Sequence, residues 1–220
     1  MATTFKPFGL KPAYHPSGLD RAVPFVGTNS FQAATDNTYN APYSLSEGQA
    51  FYQYQPVGLN SSGQLTIAEI DAADGAVYGV FDGVEFTDSQ GRRSVAKWAS
   101  LLTLDASTQI IFWIFQDTNL VYEAQVNGSV DATAIGSEFN FDATNNPASG
   151  TAIGNGGAGF STTALASAPV ASGAQGQVRV VGLGREAAFP YGETNAWGDA
   201  NTIVQVTIAN NSFVAPKVSV

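Results

Sequence analysis

Apolar positions repeat with a period of two in several short segments of the chain, and one stretch sets the frame. Val77-Tyr78-Gly79-Val80-Phe81-Asp82-Gly83-Val84-Glu85-Phe86-Thr87-Asp88 is rich in β-branched and aromatic residues and ends in a polar turn. Tyr78, Val80, Val84 and Phe86 share one parity, with Asp82 interrupting them and Gly83 following. The pattern fits one long strand bent at a glycine bulge, or two strands joined at Asp82-Gly83 as a tight hairpin. The bent strand is favoured, as the central strand of a small barrel, because barrel strands must coil round corners. Gly79 and Gly83 lie on the other parity and predict close approach by a neighbouring segment.

Similar signals recur on both sides. Ala50 to Gln55 alternates, with Tyr52 and Tyr54 on one face. Asn60 to Gly63 and Asp88 to Gly91 are turns. Leu65 and Ile67 share a face, and Ser94 to Leu104 reads as a strand with Trp98 at its middle. Ile110 to Phe115 is continuously apolar, as in a strand buried on both faces. Leu120, Tyr122, Ala124 and Val126 point one way, opposite Val121, Glu123 and Gln125, and Asn127-Gly128 is a hairpin signal. Strands resume at Gln177 to Val181 and at Thr202 to Ile208, where Val204, Val206 and Ile208 face inward. No segment reads as a convincing helix. The expected fold is all-β, a small antiparallel β-barrel or sandwich over residues 45–220.

Two segments break the pattern. Residues 1–44 read as an extended N-terminal arm, because Pro7, Pro12, Pro16, Pro24 and Pro42 prevent helix or central strand. Phe5, Phe8, Leu10, Tyr14, Phe25 and Phe31 punctuate it as anchors, so the arm needs a surface: its own barrel, a sister subunit or another protein. Residues 143–176 are nearly all Gly, Ala, Ser, Thr, Asn and Pro and read as a long loop with an ordered patch at Ser161 to Ala166.

Composition narrows the function. The chain has 220 residues and net charge −9. Residues 1–25 carry +2, through Lys6, Lys11 and Arg21 against Asp20, and the rest carries −11. An acidic body argues against nucleic acid and anionic membrane as partners. With no cysteine and only His15, disulfides, cysteine-ligated metals, thiol nucleophiles and paired-imidazole sites within one chain are excluded. Met1 to Leu10 has no apolar core of a signal peptide, so synthesis and folding in a cytoplasm are expected.

Candidate chemistry is sparse. Gly154 to Gly159 matches GxGxxG in letters but lacks the following helix and the acid about 20 residues on that dinucleotide binding requires. Asp71, Asp74, Asp82, Glu85 and Asp88 lack the spacing of a calcium loop and read as an acidic rim, with Arg92 or Arg93 in reach of Glu85. No serine is marked as a partner for His15. Any two of the 18 acids could converge as a glycosidase pair, which spacing alone leaves open. Trp98 and Trp113 are read as core, and Trp197, in a turn-like Asn195 to Ala200, as near a surface or interface. The chain is not expected to be an enzyme or to hold a cofactor or metal.

Several of these pieces together resemble a family of tailed-phage head proteins of the capsid-decorating, or cement, type. Phe8-Gly9-Leu10-Lys11-Pro12 is similar to the family's FG(L/F)(R/K)P, and Val77 to Asp88 to its GVFxGxEYTD strand, with Phe86 in place of Tyr. Trp98 after Lys97 resembles its aromatic strand. Tyr122 to Ser129 is similar to FEIQxxGS, Gln177 to Gly182 to QLRIxG, and Trp197-Gly198-Asp199-Ala200 to WGDA. The resemblance implies a virion protein on the outer capsid surface, a homotrimer or homodimer bridging major capsid proteins, made in the bacterial host cytoplasm and without catalytic residues. Phe5, Phe8, Leu10, Lys11, Tyr14, Phe25, Phe31 and Trp197 are the expected protein-contacting residues. A receptor- or glycan-binding virion module, using Trp197, is the alternative.

Overall fold

The computed structural model describes residues 5–18, 21–25, 41–69, 75–105, 107, 109–142, 160–185 and 195–213. In chain order the first strands are β1 (Lys11–Tyr14), β2 (Val23–Phe25), β3 (Ala50–Tyr52), β4 (Gln55–Leu59), β5 (Leu65–Ile67) and β6 (Gly79–Thr87). β7 (Arg93–Ala96), β8 (Trp98–Ser100), a helical turn α1 (Leu101–Asp105) and β9 (Gln109–Phe115) follow. β10 (Val121–Gln125), β11 (Glu138–Phe139), β12 (Val178–Leu183) and β13 (Ile203–Ile208) complete the fold.

The strands make two large open antiparallel sheets and a small one, a sandwich-like all-β fold without a closed barrel. One large sheet has the order β1-β10-β13-β12-β11, and the other β2-β9-β6-β4-β5 with β7 also on β6. The alternation read from sequence explains the first. Tyr122 and Ala124 of β10, Val178 and Val180 of β12, and Val204, Val206 and Ile208 of β13 share one buried cluster. The opposite face of β10 is buried but polar. Glu123 accepts the Arg185 N–H at 2.7 Å, and Gln125 accepts the Lys6 N–H at 2.7 Å.

β6 is the central strand of the second sheet, bent as its sequence predicts. Its register with β9 shifts between Phe81 and Gly83, the signature of a bulge, so the hairpin alternative is not formed. Phe81 and Val84 join Phe112 and Ile114 of β9 in a second buried cluster with Phe51, Tyr43 and Leu104, while Val80 faces the first. The sheets are tied across their ends by backbone bonds from Val77 N–H to Asn210 O (2.8 Å) and Ser212 N–H to Val77 O (3.1 Å). The buried Gln177 amide adds a second tie, donating to Glu69 O at 2.6 Å and accepting the Phe141 N–H at 3.0 Å.

The bulge divides one edge of β6. β4 pairs with Gly79 to Phe81, and β7 with Val84 to Thr87. At the division both neighbouring chains leave the sheet. β3, which precedes β4, and β8, which follows β7, pair with each other instead, Tyr52 opposite Trp98. This two-stranded flap turns Phe51 and Ala99 into the second cluster and leaves Tyr52 and Trp98 on its outer face.

Five expectations change. The strand expected over Ser94 to Leu104 breaks at Lys97 and ends as α1, because the Ser100 hydroxyl accepts the Thr103 N–H at 3.3 Å and caps a helical turn. Trp98 is not core: it is 49% exposed, because its strand belongs to the flap. Tyr52 and Tyr54 do not share one flat face, since Tyr54 has φ 66° at the turn out of the flap. β9 is fully buried on one face only, with Ile111 and Trp113 half-buried on the other. Asn127-Gly128 makes no hairpin. The Asn127 N–H is taken by Leu165 O at 2.9 Å and its amide by Asp142 at 2.6 Å, so the turn residues bind another segment.

The proline-rich N-terminal region supplies edge strands to both sheets, β1 on β10 and β2 on β9. Pro12 and Pro24 fit there because an edge strand needs no ladder donor on its outer side. Within the low-complexity segment, Ser161 to Leu165 is buried throughout, and Leu165 bridges both Val126 and Phe141. The GxGxxG match at 154–159, with Phe31, Asp71 and Asp74, lies outside the described residues.

Candidate functional site

Three groups of polar contacts stand out: the β6 corner, the N-terminal segment, and the buried Glu138 carboxylate, which accepts from Arg179, from the Gly176 N–H at 2.7 Å and from Gln175 at 3.1 Å and so ties β11 to β12. At the corner, Asp82 Oδ1 accepts from Gln53 Nε2 at 3.0 Å and from Lys97 Nζ at 2.9 Å. Gln53 lies between β3 and β4 and Lys97 between β7 and β8, so one carboxylate holds both chains where they leave the sheet. Downstream on the same strand Glu85 pairs with Arg93, and in the turn Asp88 pairs with Arg92 at 2.8 Å. The Asp88 carboxyl is held below its usual range, first by the Arg92 backbone N–H and further by the Arg92 side chain and the Gln90 N–H. Every described acid of the supposed rim therefore has a basic partner on the neighbouring strand or turn. Among the described residues no three His, Cys, Asp or Glu side chains form a metal-binding group.

The N-terminal segment is threaded into the fold. Leu10 N–H donates to Tyr54 O at 2.8 Å and Gly9 N–H to Thr163 O at 3.2 Å, and Leu10 is 1% exposed within the first cluster. Gly9 has φ 78°, and a Cβ there would lie 2.2 Å from Tyr54 O. Only glycine fits between these two strands of contact.

Beyond β1, the His15-Pro16-Ser17-Gly18 turn closes through Gly18 N–H to His15 O at 2.9 Å. His15 Nδ1 accepts from the Ser17 hydroxyl at 2.6 Å and the Ser17 N–H at 3.0 Å, and Nε2 lies 3.0 Å from Asp117 Oδ2. Serine, histidine and aspartate thus do meet, although the sequence marks no serine. The geometry is that of a turn lock. The same ring nitrogen already serves the Ser17 backbone, and the ring N–H is not aligned on the carboxylate. The Gly18 N–H is spent on closing the turn, so it is not available as an oxyanion donor. Asp117 is held below its usual range, first by the Asn119 backbone N–H and also by His15.

The expected contact residues separate into three groups. Leu10 is buried in this chain's own core, so it is unavailable to a partner while the segment stays docked. Phe5, Phe8, Lys11, Phe25 and Trp197 are half-buried, Phe25 edge-on to Tyr78 at 5.4 Å and Trp197 against the first cluster. Tyr14 is exposed, with the Arg185 guanidinium 5.4 Å over its ring. Phe31 lies outside the described residues. The sequence reading missed the exposed trio Val95, Trp98 and Leu102, at 71%, 49% and 82%. Apolar letters in a strand pattern signal core; here the open face of edge strand β7, the flap and the capped turn leave Val95, Trp98 and Leu102 outward in turn.

Comparison with protein-family models, with curated proteins and with solved structures finds no match.

Proposed function

We propose that this chain is a structural virion protein of the capsid-decorating type, which binds the outer shell and bridges major capsid proteins. The reading rests on the ordered motifs in the sequence. The observation that supports it most is that the motif residues hold the fold together. Gly9 and Leu10 lock the N-terminal segment under Tyr54. Gly83 forms the β6 bulge, Gln177 ties the two sheets, and Gly198 donates to Val130 O at 2.9 Å beneath the half-buried Trp197. Motif residues that serve the scaffold rather than a catalytic pocket suit a rigid coat component. No helix among the described residues is long and apolar enough to cross a membrane.

The contact surface in this reading is formed by the exposed Lys6 and Tyr14 and the half-buried Lys11 of the N-terminal segment, rather than by Leu10. The test adds purified protein to capsids stripped of it and measures their resistance to heat. Wild type should raise the disruption temperature, and a Lys6→Glu/Lys11→Glu/Tyr14→Ala variant that folds normally should raise it less. No protection by wild type would sink the reading. Equal protection by the variant would sink the role of the segment. Truncating residues 1–44 is the wrong control, because it removes Leu10 and two strands from the fold.

The glycan-binding alternative has one observation in its favour, at a different tryptophan from the one expected. Tyr52 and Trp98 lie nearly parallel, 16° apart with centroids at 6.5 Å, and half-exposed on the flap. Retardation in gels containing neutral polysaccharide that is lost in Trp98→Ala but kept in Trp197→Ala would support it.

A further inference from the structure

We propose that β7 is a self-pairing edge, through which a second copy of this chain extends the six-stranded sheet antiparallel across a two-fold axis. This goes beyond the capsid reading and does not rest on it.

The argument begins with the edges. A strand at a sheet edge presents unpaired N–H and C=O groups and invites another strand, so folded proteins blunt such edges with proline, charge or cover. The two large sheets have five edge strands. β1 carries Pro12 and β2 carries Pro24. β5 is covered by residues 42–44, through Leu65 N–H to Pro42 O at 2.9 Å and Ser44 N–H to Leu65 O at 2.8 Å. β11 has two residues and is covered through Val170 N–H to Glu138 O at 2.9 Å. β7, Arg93-Ser94-Val95-Ala96, has no proline, and its backbone pairs with β6 alone among the described residues.

The side chains around this edge suit a second copy. Val95 and Leu102 are the two most exposed large apolar residues described, with Trp98 between them in sequence. Val95 lies on the open edge strand itself, and a large exposed apolar side chain on such an edge favours association there. The basic residues beside them would repel a second copy if free, but each is held by an acid of its own chain: Arg92 by Asp88, Arg93 by Glu85 and Lys97 by Asp82. The edge is therefore locally neutral in a chain of net charge −9. An isologous pair needs a surface complementary to itself, and an antiparallel strand edge is one. With the axis perpendicular to the sheet, residues of like parity face each other, so Val95 meets either Val95 or Arg93 of the second copy.

The chain has no cysteine, so single-cysteine variants report this geometry directly. Sedimentation equilibrium of the wild type should show a concentration-dependent dimer. Val95→Lys, at a position 71% exposed, should shift it to monomer with an unchanged far-ultraviolet spectrum. Under mild oxidation, Ser94→Cys or Val95→Cys should form a disulfide-linked dimer at least tenfold faster than Leu59→Cys, an exposed position on β4. A wild type that is monomeric at all concentrations overturns the proposal. So does an oligomer that Val95→Lys leaves intact, or crosslinking no faster than in the Leu59→Cys control, since the partner surface would then lie elsewhere.

Discussion

The Asp82 carboxylate and the Lys97 ammonium, 2.9 Å apart, pin the corner at which this fold stops being a single sheet. The same oxygen takes the Gln53 amide, so the two chains that part company with β6 are joined through one acid. An exposed ion pair contributes roughly 0–1 kcal/mol, and Lys97 is more than half exposed. The Gln53 bond adds about 1 kcal/mol. Asp82→Ala should therefore cost about 1–2 kcal/mol in urea unfolding, Lys97→Met under about 1 kcal/mol, and Asp82→Asn an intermediate amount, because its amide oxygen still accepts from Gln53. A double-mutant cycle between Asp82 and Lys97 with no coupling would show that the pair is incidental.

The glycines beside that corner give a sharper prediction. A Cβ at Gly83 would lie 2.9 Å from Ala96 O, and one at Gly79 2.5 Å from Phe115 O and 2.6 Å from Ile114 Cγ2. Backbone atoms in a paired strand cannot retreat cheaply. Overpacking of this kind costs about 1–3 kcal/mol, so Gly83→Val and Gly79→Ala should each lower stability by at least that much. Gly63→Ala has the same change of residue and a positive φ but open space around it, and should cost only the left-handed penalty of about 1–2 kcal/mol, less than Gly79→Ala. Equal losses at Gly63 and Gly79 would contradict the packing argument.

Leu10 tests whether the N-terminal segment belongs to the fold. It is 1% exposed and sits with Tyr122 and Leu120 in the first cluster. Leu10→Ala should cost about 2–5 kcal/mol, the range for large-to-small changes in a core. Tyr14→Ala, on an exposed side chain, should cost less than about 1 kcal/mol. Amide exchange over residues 9–14 should be as slow as over β10. Rapid exchange there would mean that the segment lies on the surface as an arm.

The alternation of β10, β13 and β5 was legible because each sets its apolar side chains on one face, and the bend at Asp82-Gly83 because a bulge needs a break in parity followed by a small residue; the same bulge splits the expected common face of β6, sending Val80 to the first cluster and Val84 to the second. An arginine partner for Glu85 across the turn followed from turn geometry, which left Arg92 and Arg93 open; the structure selects Arg93. The flap was not legible. β3 and β8 read as ordinary strands, and nothing local says that both leave the sheet where Gln53 and Lys97 reach Asp82. β1 and β2 were hidden by their prolines, which exclude a central strand but permit an edge. The Ser17–His15–Asp117 contact depends on docking β1 beside the β9–β10 turn, a pairing over 100 residues of separation that no spacing rule encodes.

That contact supplies the acid-side prediction. Asp117 is held below the ordinary 3.8 in the folded chain, chiefly by the Asn119 N–H at 2.8 Å and also by His15. A carboxyl whose folded value lies below its unfolded one contributes stability above the unfolded value and loses it as pH falls through the folded value. The contribution should be complete at pH 6 and decline below about pH 4. Asp117→Asn keeps an oxygen for the Asn119 N–H but has no charge to lose. Its urea midpoint should lie below wild type at pH 6 and converge on it near pH 3, with Asp88, also held below its usual range, contributing acid sensitivity to both proteins. The carboxylate is 46% exposed, so the difference should be small, and salt should reduce it. A constant gap from pH 6 to pH 3 would place the effect of the substitution in turn geometry rather than in charge.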